Sequence, residues 1–237
     1  MEYKANGHEN PVNLILMKEK TATILGSTGL IGSNLPEFLL NDDSYNVVRV
    51  IVRRPVEFNN PAIRTVLIDF ADKESFRSAI AGSDALFCAV GTTQKKVKGD
   101  REAYYRVDYD IPVNAALFCK ETGCQVFALV SSVGADSKSK NFYLKLKGEV
   151  EDKIREMNIA SVSVFRPSML LGKRKEFRFA EVVTKAVSAP VSFLFPPKYR
   201  PVKAENVARA MIAASKKAAP GFNVYHYSEM VNLIEIL

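Results

Sequence analysis

The chain has 237 residues, 47% of them hydrophobic, with three cysteines, two histidines and a formal net charge of +7. This length and apolar content suit one α/β domain with a substantial core, and no stretch approaches the roughly 18 consecutive apolar residues of a membrane span. His8 and His226 are the only histidines, which excludes a histidine-based metal centre or nucleophilic triad, and no metal site is expected.

The start, Met1 to Asn10, is polar, and the apolar run from Val12 to Met17 is too short for a signal-peptide core. Export is therefore not expected, and a cytoplasmic setting is. Met17 precedes the first strand by four residues, so residues 1–17 read as an N-terminal extension and 18–237 as a single domain. Cys88, Cys119 and Cys124 show neither C-x-x-C nor metal-ligand spacing, which fits a reducing compartment. Cys88 reads as a small buried hydrophobe.

The first strand is Thr21 to Leu25. Gly26-Ser27-Thr28-Gly29-Leu30-Ile31-Gly32 follows it directly. A glycine loop between a buried strand and a helix start suits a pyrophosphate: Gly26 for the tight turn, Gly29 for close approach of the backbone, Gly32 for helix packing. The positive end of the following helix would face the anion. Pro36 falls inside that helix and would cost about 3 kcal/mol in an ideal one, so a kink or a restart at Pro36 is expected. The second strand, Asn46 to Val52, ends in Arg53 and Arg54, the former 21 residues after Gly32. NAD-selective sites usually carry an acid there, whereas guanidinium groups fork onto a 2′-phosphate, so NADP(H) is favoured over NAD(H).

A third strand (Thr65 to Ile68) leads to Asp69, which either reaches the adenine amino group or caps a turn or helix. A helix around Ser75 to Ile80 follows, then a strand from Ala85 to Val90 running into Gly91-Thr92-Thr93. One long helix is predicted from about Arg101 to Thr122, stopped by Gly123. The fifth strand (Val126 to Val130) ends in Ser131-Ser132, residues 142–157 are helical by pattern, and Ser161 to Arg166 form a sixth strand. This alternation implies a doubly wound parallel sheet, the Rossmann arrangement. Beyond about residue 166, prolines 190, 196, 197 and 201 break the pattern into a small irregular C-terminal lobe capping the substrate side. It holds a helix near Glu205 to Lys216 and a short strand at Asn223 to His226. Basic clusters at Lys95-Lys96-Val97-Lys98 and Lys173-Arg174-Lys175 are scattered and lack aromatic interleaving, so nucleic-acid binding is disfavoured against an anionic small molecule.

Tyr143 and Lys147 stand at i and i+4, on one helix face. A phenol is a poor base at neutral pH, but an ammonium within about 4–6 Å favours phenolate. Tyr143 could then exchange a proton with a carbinol or carbonyl while hydride moves to or from nicotinamide, worth about 10²- to 10⁴-fold. Lys147 could hold the nicotinamide ribose. Ser132, with Ser131 the close second, could hydrogen-bond the substrate oxygen.

The glycine loop, Tyr143, Lys147 and the upstream serines resemble the short-chain dehydrogenase/reductase superfamily. Ser131-Ser132-x-Gly134-Ala135-Asp136, Tyr143-Leu144-x-x-Lys147-Gly148-Glu149 and Val164-Phe165-Arg166-Pro167 resemble its atypical Tat-interacting-protein group. That resemblance implies cofactor contacts from Ser27, Thr28, Gly29 and Leu30, and from Arg53 or Arg54 at the 2′-phosphate. Val90, Gly91 and Thr92 would lie along the adenosine and pyrophosphate side, with Leu170 and Arg178 near the cofactor after the sixth strand. Many relatives in the superfamily carry a fourth catalytic residue, an asparagine, on the helix before the fifth strand; here that neighbourhood reads Val107-Asp108-Tyr109-Asp110, with Asn114 further on, and no proton relay is assigned. The function so implied is NADPH-dependent carbonyl or alcohol chemistry on a small-molecule substrate, in a monomer or homodimer. From their sequence alone, Phe177, Phe179, Phe193 and Phe195 suggest an apolar wall to the substrate pocket, with core packing the favoured role for any one of them. A regulatory module that binds a protein partner in response to NADPH is the alternative.

Overall fold

Nine strands, Thr21–Leu25 (β1), Val47–Val52 (β2), Ile63–Leu67 (β3), Ala85–Cys88 (β4), Val126–Val130 (β5), Ser161–Phe165 (β6), Leu170–Leu171 (β7), Val202–Lys203 (β8) and Gly221–Tyr225 (β9), are present among the described residues. Those residues are 19–93, 97–171 and 196–235 of the computed structural model. β1, β4 and β6 are buried at every position. Such continuous apolar runs need cover on both faces, as in a parallel sheet between helix layers. Seven strands pair in the order β3-β2-β1-β4-β5-β6-β9, every pair parallel. β7 and β8 form a separate two-stranded pair.

Leu25 lies opposite both Ile51 and Cys88, so the carboxyl ends of β1, β2 and β4 align. Strand order reverses direction between β1 and β4, which opens a crevice above those ends. Side chains alternate along each strand. Ala22, Ile24, Val50 and Phe87 join one core with Leu35 and Leu39 of Leu35–Leu40 (α1). The other core holds Leu25, Ile51 and Leu86 with Phe76 of Lys73–Ile80 (α2). The next helices are Arg101–Tyr105 (α3), Ile111–Glu121 (α4) and Phe142–Glu156 (α5), and α4 and α5 fill the second core through Ala115, Phe118, Val150 and Ile154.

The C-terminal region does more than cap the strand ends. Ala204–Lys217 (α6) packs Val207 and Met211 into the first core, and β9 extends the sheet edge beside β6. Tyr227–Glu235 (α7) was not expected from the sequence; it adds Met230 and Leu233 to that core.

Prolines explain both irregular helices. Gly32–Asn34 forms a 3₁₀ turn, and the Leu35 N–H bonds to the Gly32 carbonyl that Pro36 could not serve. Helix α1 then restarts with Pro36 in its first turn, where the missing N–H costs nothing. The long helix predicted over 101–122 is interrupted at Arg106–Asp110 by a π turn. Pro112 has no N–H to return to the Asp108 carbonyl, so the α pattern cannot run through.

Candidate functional site

One cleft at the sheet's carboxyl edge is lined by Gly29, Leu30 and Ile31 of the glycine loop, and by Ala89, Val90 and Gly91 after β4. Val130, Ser131 and Ser132 from the end of β5, Tyr143 and Lys147 of α5, Asp108 of the π turn, and Pro167, Ser168 and Leu170 after β6 complete it. Residues from six separate stretches of sequence thus converge where an open parallel sheet binds ligands.

The loop is held tight. Gly26 adopts φ +85°, and a Cβ there would sit 2.6 Å from the Ala89 carbonyl oxygen, so the loop and the β4 end touch through bare backbone. The Gly29 N–H closes the turn on the Gly26 carbonyl at 2.9 Å. A Cβ on Gly32 would overlap the same Gly26 carbonyl. Because α1 is short and begins only at Leu35, the cradle is the loop and its 3₁₀ turn rather than the end of a long helix. Ser27 fits an anionic guest: its side chain is buried and its Oγ has no hydrogen-bond partner. A diphosphate oxygen would satisfy that hydroxyl, which otherwise carries the desolvation cost of an unmet donor. Thr28 is exposed beside it, and Ile31 is core.

Arg53 and Arg54 are exposed on the bend that follows β2, beside the loop. Asp69 is also exposed, with its carboxylate accepting the Ala71 N–H at 3.0 Å. Capping of α2 falls instead to Asp72, which accepts from Glu74 and Ser75. Arg178, the four phenylalanines and the 173–175 cluster lie outside the described residues, as do Lys95 and Lys96.

Asn141 caps α5 by accepting the Leu144 N–H, which fixes the turn carrying Tyr143. Tyr143 is half-buried, and the Lys147 ammonium lies 5.9 Å from its ring centre. The two serines are not equivalent. Ser131 donates its hydroxyl to Glu151 at 2.5 Å, and Glu151 also binds Arg166. Ser132 makes only a 3.3 Å contact to the Val133 carbonyl, so its hydroxyl is the less committed of the two. Buried Glu151 and Ser131 and part-buried Arg166 form a polar brace at the cleft.

Asp108 is the residue sequence reasoning passed over. It is 1% exposed, pairs with the Lys147 ammonium at 3.0 Å and accepts the Thr92 N–H at 2.6 Å. The Thr92 N–H is thereby committed within the protein rather than free for a cofactor. Burial opposes charge on Lys147, but Asp108 beside it, then Tyr143 and Tyr104, hold the amine protonated above the ordinary lysine range. Its segment, Arg106-Val107-Asp108-Tyr109-Asp110, carries two acids, and which of them turns inward depends on the π turn.

The profile of an NAD(P)H-binding family matches residues 26–218. The chain is 35% identical to Protein HTATIP2 of Rattus norvegicus over 199 residues, covering 83% of this chain and 81% of that protein. It is 35% identical to Protein FMP52, mitochondrial, of Candida albicans over 157 residues, 65% of this chain and 68% of that one. Among solved structures, MoeE5 in complex with UDP-glucose and NAD superposes with TM-score 0.65 at 14% identity, over 92% of this chain and 81% of its own. WbmH of Bordetella bronchiseptica in complex with NAD+ gives 0.64 at 18%, over 88% and 76%. At those identities the shared property is the fold. Among the described residues no helix is long and apolar enough to cross a membrane, and no group of residues could hold a metal ion.

Proposed function

Since the chain belongs to the NAD(P)H-binding family, as an atypical short-chain dehydrogenase/reductase of the group that includes HTATIP2, we propose that it is an NADPH-dependent oxidoreductase acting on a carbonyl or alcohol. The observation that carries this reading is Tyr143 and Lys147 on one face of α5, opening into the same cleft as the glycine loop. Bound NADPH would supply the hydride. Ser27 and the loop backbone would take the diphosphate, and Arg53 and Arg54 the 2′-phosphate, where a planar guanidinium matches phosphate geometry. The Lys147 ammonium has donors to spare beyond Asp108 and would hold the nicotinamide ribose hydroxyls. Tyr143 would pass its proton to the substrate oxygen in reduction and take it back in oxidation, while Ser132 donates a hydrogen bond to that oxygen. Leu170 and the Pro167 ring would wall the nicotinamide side of the cleft.

The three thiols are buried and unpaired, which suits a reducing setting such as the cytoplasm, and the fungal relatives named mitochondrial make subcellular fractionation the deciding measurement. The functional test is Tyr143→Phe. Turnover of NADPH with a carbonyl panel should fall at least 10²-fold, while NADPH fluorescence titration should show binding within a few-fold of the parent. Turnover that survives the substitution would remove Tyr143 from the chemistry.

A further inference from the structure

Tyr143 faces an ion pair rather than a lone cation. Asp108 uses both carboxylate oxygens, Oδ1 on Lys147 and Oδ2 on the Thr92 N–H, and is sealed from solvent. Its place in the π turn puts it against α5, at the level of Lys147. An unpaired ammonium this close to a phenol favours phenolate; a carboxylate 3.0 Å from that ammonium turns the charge into a dipole and weakens the pull.

We propose that Asp108 is a positioning residue that fixes Lys147 and offsets its charge, so that Tyr143 stays a protonated acid to higher pH than a lone lysine would allow, which suits carbonyl reduction. This rests on the acid/base role of Tyr143 proposed above.

Among the described residues, the other groups named around the phenol are balanced or neutral. On α5, Glu151 is matched by Arg166 at the end of β6 and by Ser131. Glu149 points to the outer face, bonded by the Tyr105 hydroxyl and near Lys145. From α3, Tyr104 donates its hydroxyl to the Thr92 carbonyl. From β4, the Cys88 thiol is pushed by burial up to about 11 and is neutral at working pH.

The test uses Asp108→Asn, which keeps the shape and an oxygen for the Thr92 N–H while uncovering the Lys147 charge. Phenolate absorbance is titrated on ligand-free protein, and the Tyr143 component is isolated by subtracting the same protein carrying Tyr143→Phe. The Tyr143 phenolate should emerge about one pH unit or more lower in Asp108→Asn than in the parent. The alkaline limb of kcat/KM for NADPH-dependent reduction should move down with it. A merely structural role would lower thermal stability without moving either midpoint, and unmoved midpoints in folded protein overturn the proposal. Should Asp108→Asn not fold, Lys147→Met is compared with Lys147→Met/Asp108→Asn. The phenolate should emerge at higher pH in the former, and equal midpoints overturn the proposal. Lack of carbonyl turnover in the parent protein would defeat the oxidoreductase reading, and the titration would still decide the role of Asp108.

Discussion

The Ser131 hydroxyl donates to the Glu151 carboxylate at 2.5 Å, while its neighbour Ser132 has no comparable bond. Adjacent residues leaving a strand point opposite ways, so one serine braces the interior and the other is left to the cleft. Ser132→Ala should therefore lower kcat/KM for carbonyl reduction by about 10²- to 10³-fold, the usual range for removing a donor to a developing oxyanion. Ser131→Ala should leave turnover within a few-fold and cost about 1–3 kcal/mol of stability, since Glu151 loses a buried donor. Steady-state kinetics with urea unfolding separates the two. Reversed effects would exchange their roles.

Arg53 and Arg54 stand exposed beside the glycine loop, so removing them disturbs little packing. Arg53→Ala/Arg54→Ala should weaken NADPH by about 10-fold or more, because a charge-assisted hydrogen bond is worth about 1.5–3 kcal/mol. NADH affinity should change less than about three-fold, and raising salt should erode only the NADPH preference of the parent. Fluorescence titrations of both nucleotides measure this. Equal weakening would count against a 2′-phosphate contact.

The sheet was legible because its strands are apolar runs between glycine and polar turns, and the Pro36 restart followed from one missing N–H. The π turn was not, because a 3.6-residue period carries no mark of an inserted residue, and Asp108 went unassigned with it. What sets Ser131 apart from Ser132, its bond to Glu151 and through it to Arg166, comes from residues 20 or more positions away. Helix α7 hid behind an atypical start. Glu229 accepts the His226 N–H at 3.0 Å, half of a capping box, but histidine is not a usual cap residue.

Native protein should resist thiol reagents. All three cysteines are buried; burial holds Cys88 up at about 11, and Cys119 is raised by its bond with Cys124 and by burial. Thiolate is the reacting species, so at pH 8 labelling should be negligible over an hour in buffer and reach three per chain in denaturant. Labelling counted by intact mass checks this, and rapid labelling of Cys88 in folded protein would contradict its burial beside Lys147 and Asp108.

Gly32→Ala tests whether the cradle depends on bare backbone. The added methyl would overlap the Gly26 carbonyl, a rigid group already bonded to the Gly29 N–H at 2.9 Å. Relief requires the loop to move away from the β4 end, where Gly26 itself allows no slack against Ala89. The variant should lose NADPH binding by at least 10-fold and destabilise the fold by about 1–3 kcal/mol through overpacking. Gly82→Ala is the control: unlike Gly32 it adopts a positive φ, +74°, but it has open space around it, and it precedes the amino end of β4, away from the cleft. It should cost about 1 kcal/mol in strain and leave NADPH affinity unchanged. If Gly32→Ala binds NADPH as well as Gly82→Ala does, the loop geometry is not what holds the diphosphate.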